Sequence, residues 1–327
     1  MREIVLDKLG NYGMRSRLIN RATYGSLQRK DIKERTLLEL IRDFWAYSLT
    51  NPNILRIVKG NKIIEEALEV AEHFFSIEEN KRGEALIIIT PYLLQNNQNK
   101  LEEIIIKEFD INRMACIIAL QNILTSGKKI RRLNEILPLL YNSIKSDDFD
   151  TAFEAVFSFA KLLAEERPEF YIKAIERDME TQMPLDKKLC TMLVISFVID
   201  FKDDKDFDAG MCHYLADKFK IWLFNAFEEK KELYLHSLFI IGKALAKAFK
   251  KQGHKVLDEF FSKFPEYKNN AVIEMILDRM ETLEQINGLL NWLKLNYNDD
   301  EIMRYAFETF KVIQKRHISA SASKGFA

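Results

Sequence analysis

From about Asn61 to His317 the chain repeats one pattern: an apolar-striped segment, a short polar break, then another such segment. Within each segment the apolar positions recur three and four residues apart, the period of one helix face. Seven pairs can be laid end to end. The spacing predicts helices over Lys62–Ser76 with Arg82–Gln95, Lys100–Phe109 with Asn112–Ser126, and Lys129–Lys145 with Asp147–Glu165. Four more pairs follow: Pro168–Thr181 with Pro184–Phe201, Phe207–Phe227 with Lys231–Lys251, Lys255–Phe264 with Asn269–Met280, and Leu283–Asn296 with Asp299–Arg316. First-helix starts lie roughly 30 to 48 residues apart, the range of two-helix repeats, so the pattern points to a superhelical stack of hairpins rather than a closed globule.

The breaks carry matching punctuation. Ser146-Asp147-Asp148 and Asn298-Asp299-Asp300 offer side-chain oxygens to exposed helix N-terminal amides. Pro168 and Pro184 stand where a first-turn proline loses no helical hydrogen bond. Pro91 and Pro138 fall inside helical runs, where they are expected to kink them. Ahead of the pairs, residues 1–60 read as a basic helical extension. A short helix reaches Leu9, glycines follow at 10, 13 and 25, and a longer helix spans Asp31 to Leu49. Asp31 and Glu34 have capping-box spacing, while Leu37, Leu38, Ile41, Trp45 and Leu49 share one face. Asn51-Pro52 ends that helix. Residues 318–327 are small, polar and aperiodic, and are expected to be disordered.

One pair resembles a known repeat family. Ile136-Leu137-Pro138-Leu139-Leu140-Tyr141 leads through Ser146-Asp147-Asp148 into Thr151-Ala152-Phe153-Glu154-Ala155-Val156. A first helix with an internal Pro, an acidic turn and an Ala-rich second helix resemble a HEAT repeat, and armadillo-like arrays share the hairpin plan. Asn112-Arg113-Met114-Ala115-Cys116 is similar to a HEAT second helix with its early Arg. The second-helix Arg is missing from the unit around Thr151. The resemblance implies an all-α, right-handed α-solenoid of about seven hairpins, whose concave face, lined by second helices, binds proteins or nucleic acids. It implies no chemistry.

Composition agrees with helix. The chain of 327 residues holds only 11 Gly and 6 Pro, with 47% hydrophobic and 30% charged residues. The 23 Phe are expected to serve as packing between repeats. Cys116, Cys190 and Cys212 are far apart, lie in apolar stripes and form no C-x-x-C pair, so they predict buried free thiols and a reducing compartment. The longest apolar run, Leu189 to Ile199, falls short of the ~20 residues of a membrane span. With no signal peptide in view, a cytoplasmic location is expected. Net charge is zero, but residues 1–60 carry +6 and the remainder −6.

Local chemistry is sparse. Lys8, Arg15, Arg17, Arg21, Arg29 and Lys30 form an acid-free stretch with Tyr12 and Tyr24 interleaved. Arginine binds phosphate bidentately and tyrosine stacks on bases, so this arm suits nucleic acid, an acidic protein partner or the acidic remainder of the chain. Lys128, Lys129, Arg131 and Arg132 open the third pair, where cations oppose the helix dipole and could mark an acidic-partner site. Asp204, Asp206 and Asp208 imitate a calcium loop, but Ala209 and Leu215 occupy the positions that need Gly and Glu. The five histidines are dispersed, and no phosphate-loop, dinucleotide or nucleophile-elbow motif occurs. Trp222 and Trp292 read as core. No catalytic residue, metal or cofactor is expected. The sequence therefore predicts a non-enzymatic scaffold that binds a protein along its helical groove. The alternative is a nucleic-acid binder using the N-terminal arm, a class in which some HEAT-like proteins are glycosylases for alkylated DNA bases.

Overall fold

Side-chain caps set many of the helix starts. Asn97 accepts from the Lys100 N–H at 3.1 Å and Asn269 from the Val272 N–H at 3.2 Å. Thr282 and Gln285 form a reciprocal capping box. Asp208 and Asp299 accept from Met211 and Ile302 at 3.0 and 2.9 Å. At the other end, Gly253 adopts φ 69° and donates its N–H to Phe249 O at 2.8 Å, the left-handed terminator that only glycine reaches without strain.

The computed structural model describes residues 68–166, 169–181, 183–226, 230–297 and 299–324. Every regular element among them is helical. They are α1 (Glu79–Asn96), α2 (Gln98–Glu108), α3 (Arg113–Thr125), α4 (Leu133–Ser143), α5 (Phe149–Glu166), α6 (Glu169–Glu180) and α7 (Leu185–Phe201). The chain continues through α8 (Ala209–Ala226), α9 (Lys231–Gln252), α10 (Lys255–Lys263), α11 (Asn270–Asp278), α12 (Leu283–Asn296) and α13 (Asp300–Lys324). Short 3₁₀ turns occupy Phe74–Ser76, Asp204–Asp206 and Pro265–Tyr267. Pro91 and Pro138 lie inside α1 and α4. Among the described residues no helix is long and apolar enough to cross a membrane.

The helices gather into two compact units divided between Ser143 and Ile144. The division falls inside the 61–317 block that the repeat pattern treats as one array. In the first unit α1 packs on α2 and α3, and α2 on α3. Leu86, Ile89, Leu101, Ile105, Ile117 and Leu120 are fully buried there. The buried Glu108 carboxylate accepts from Arg82 Nη1 at 3.0 Å and Asn112 Nδ2 at 2.8 Å, which satisfies the charge it takes out of water.

In the second unit the second helices pack in succession: α5 on α7, α7 on α9, α9 on α11 and α11 on α13. First helices attach to this series, α6 to α7, α8 and α10 to α9, and α12 to α13. Gly242 lets α9 approach α11 closely, because a Cβ there would lie 2.6 Å from Met275 Cβ. Phe260, Phe264 and Tyr267 form an aromatic cluster with His213, and Tyr267 donates its hydroxyl to Ala216 O at 3.1 Å. One expectation fails at the C-terminus: α13 runs through Lys324, so most of the 318–327 tail is helical. Its alternating Ser and Ala allow this, since alanine is the best helix former and extending an existing helix adds one hydrogen bond per residue. The expected helices of residues 1–60 lie outside the described residues.

Candidate functional site

Of the cationic residues singled out in the sequence, Arg15, Arg17, Arg21, Arg29 and Lys30 lie outside the described residues. Lys128, Lys129, Arg131 and Arg132 are brought together in the loop before α4, and that loop is strapped onto α1 and α2. The fully buried Glu102 carboxylate accepts from the backbone N–H of Arg131 at 3.1 Å, from that of Arg132 at 2.8 Å and from Gln98 Nε2 at 2.7 Å. Its negative charge meets the positive end of α4 and offsets the cations that oppose the dipole. Lys128 Nζ donates to Leu94 O, Arg131 Nη1 to Asn99 at 2.8 Å, and Arg132 to both Glu135 oxygens at 2.7 and 2.6 Å. Lys128, Arg131 and Arg132 are thus engaged within the chain, and the cluster straps its loop onto α1 and α2.

A largely apolar cleft lies in the second unit. Residues of α6 and α8 wall this cleft of about 370 Å³, and α7 supplies its floor. The walls include Ile175 and Met179 from α6 with Leu215, Phe219 and Trp222 from α8; Val194, Val198 and Ile199 lie beneath. Ile172 and Tyr214 stand half-open to solvent along it. Glu176 of α6 and Lys218 of α8 approach to 3.4 Å, an ion pair that links the two walls. Its volume falls within the few-hundred-Å³ range of small-molecule sites. The cleft sits between two first helices, whereas the repeat resemblance implies binding along second helices.

Met179, Glu180, Lys218 and Trp222 also line a second, more polar lobe, together with Lys188, Asp217, Ile221 and Lys230. Lys188 is only 7% exposed. Its Nζ sits 4.2 Å from the Trp222 ring centroid, and among the described residues no carboxylate, hydroxyl or carbonyl pairs with it. Burial pushes its ammonium below the usual lysine range, and the positive charge of Lys230 pushes the same way. Lys188 stands in the first turn of α7 and Lys230 at the N-cap of α9, and neither helix has a side-chain cap. Two positive helix ends therefore add to the field of the lysines.

Other polar groups are spent on structure. Asp200 of α7 receives Lys243 of α9 and Arg279 after α11, both at 2.8 Å, and Asp204 receives Lys247 at 3.0 Å and Lys250 at 3.3 Å. These pairs lace successive second helices together. The calcium-like segment is likewise engaged, Asp204 in that ladder and Asp208 capping α8. Among the described residues no group of three or more His, Cys, Asp or Glu is placed to hold a metal ion. The three cysteines are buried and free, and burial raises the pKa of each.

The sequence motifs gave no sign of Lys188, Glu176 and Lys218, while Trp222, expected as core, is buried at 8% exposure. One signal was present. Lys188, Met192, Ile195 and Ile199 fall on one helical face, which puts a charge on a stripe that is otherwise apolar. Compared with family models, curated proteins and solved structures, the chain finds no match.

Proposed function

We propose that this chain is a non-enzymatic binding scaffold, a HEAT-like array of helical hairpins that docks an amphipathic helix of a protein partner on the face of α8 beside the cleft. The observation that carries the reading is the apolar character of that face. Ile221 is 65% and Phe224 69% exposed, three residues apart and so on one side of the helix, next to the apolar chamber. Grouped exposed apolar side chains beside a groove are a common mark of a helix-in-groove interface. The succession α5, α7, α9, α11 and α13 supports the repeat-array part, since each second helix packs on the next.

A photo-crosslinking residue placed at Phe224 in the producing cell tests this. The expected result is a discrete protein adduct that vanishes when Ile221→Asp is added and is absent when the crosslinker stands at Lys311. Adducts of equal yield from both positions, or an adduct that survives Ile221→Asp, would overturn the proposal.

A further inference from the structure

We infer that the two-lobed cleft between α6 and α8 binds a small amphiphilic monocarboxylate, with its hydrocarbon part in the apolar lobe and its carboxylate on the Lys188 ammonium. This goes beyond the protein-docking reading, which concerns the exposed face of α8, although Ile221 of that face also lines the polar lobe.

Three observations meet at this site. The apolar lobe has ligand dimensions and is walled by Ile175, Met179, Leu215 and Phe219, each almost wholly buried. The polar lobe adjoins it, with Met179, Glu180, Lys218 and Trp222 lining both, so a chain lying in the first lobe places its head group at the edge of the second. The head-group end holds a lysine more than nine-tenths buried with no anionic or hydrogen-bonding partner among the described residues. The lysine stem is packed while its ammonium opens on the polar lobe, and a cation so placed gains from pairing with an anion. The Trp222 ring stabilises the cation only in part. An incoming anion completes the arrangement.

The charge count selects the class of anion. Among the described residues Lys188, Lys218 and Lys230 line the polar lobe with Glu180 and Asp217. Glu176, at the adjoining end of the apolar lobe, engages Lys218. Three cations thus meet three anions, and with no surplus of positive charge a single negative charge fits better than a phosphate dianion. Lysine also offers a point charge and not the planar fork by which arginine holds phosphate oxygens.

Calorimetric titration of the full chain with decanoate, 1-decanol and decylammonium, each below its aggregation limit, tests the inference. Decanoate is expected to bind one-to-one and about tenfold more tightly than decanol, the gain of one charge-assisted hydrogen bond, while decylammonium is rejected. Lys188→Met should weaken decanoate about tenfold and leave decanol within about twofold. Lys230→Gln, at a more accessible position, should weaken decanoate by a smaller factor. Equal affinity for decanoate and decanol, no binding of decanoate, or a Lys188→Met chain that binds decanoate like its parent would overturn the inference. These titrations need no partner protein, so their failure would leave the crosslinking result standing, and the reverse holds too.

Discussion

Alanine at Gly242 sets helix propensity against packing, and the structure indicates which prevails. In a free helix interior alanine is favoured over glycine by about 0.8–1.0 kcal/mol. At Gly242, however, a Cβ would lie 2.6 Å from Met275 Cβ, 2.8 Å from its Cγ and 3.1 Å from the backbone oxygen of Val272. Carbon pairs settle at about 3.5–4.0 Å, so α9 and α11 would have to part by roughly 1 Å. Overpacking of this kind costs about 1–3 kcal/mol. A backbone atom among the contacts places the site toward the upper end, because a backbone oxygen cannot rotate away. The net expectation is destabilisation by about 1–2 kcal/mol, or about 2–4 °C in melting temperature for each kcal/mol. Gly288 in α12 is the control. Its nearest atom to an added Cβ is 3.7 Å away, an ordinary contact, so Gly288→Ala should stabilise by about 0.5–1 kcal/mol. Urea unfolding of both variants, with midpoints compared at unchanged slope, measures the difference. If Gly242→Ala proves as stable as Gly288→Ala, the close approach of α9 and α11 is refuted.

The ion-pair ladder, the strap and the buried thiols each yield a further expectation. Asp200→Ala should cost about 1–3 kcal/mol, since it removes the Arg279 bond and leaves the part-buried Lys243 with only Ser196 Oγ, at 2.7 Å, and no counter-charge from Asp200. Asp203→Ala, which breaks only an exposed pair with Lys205, should stay within about 0.5 kcal/mol; thermal unfolding of the two variants compares them. Glu102→Ala should cost about 1–3 kcal/mol by leaving the part-buried amides of Arg131 and Arg132 without their acceptor, and faster amide exchange at 131 and 132 should report it. Stability should also decline in alkali. Burial, with Asp208 adding to it, pushes the Cys212 thiol from its ordinary value near 9 up to about 12. Between those values the unfolded chain has lost a proton that the folded chain keeps, so this stabilisation is whole below about pH 9 and is lost toward 12. Cys212→Ala should flatten that decline in urea midpoints measured across the range.

Helix positions were legible because their signals are local. The spacing that starts a helix near Asn269 reappears as α11 with Asn269 as its cap, and the Asn298-Asp299-Asp300 break reappears as the Asp299 cap of α13. The tail after His317 was misread for the same reason. A window of Ser and Ala contains no stripe, but a helix already under way needs none to continue. The strap at Lys128–Arg132 was readable only as charge, because its acceptors Leu94, Asn99 and Glu102 stand about one hairpin earlier in the sequence. The cleft was less legible still. Glu176 and Lys218, the two lysines of the polar lobe and the Trp222 ring come from separate helices, and nothing in their own neighbourhoods marks them as a set.

Taken alone, the order of apolar and polar residues determined that this chain is helical, where its helices begin and end to within a few residues, and that its thiols are buried. Period, capping and burial of a stripe act over a few positions, so the chain carries them openly. Only the tertiary structure decided which helices touch, that α6 and α8 line one cleft with α7, and that Lys188 ends its reach over Trp222 with no carboxylate partner among the described residues. Those outcomes depend on how helices remote in sequence pack together, and a single buried charge acquires its meaning from neighbours that the sequence holds tens of residues away.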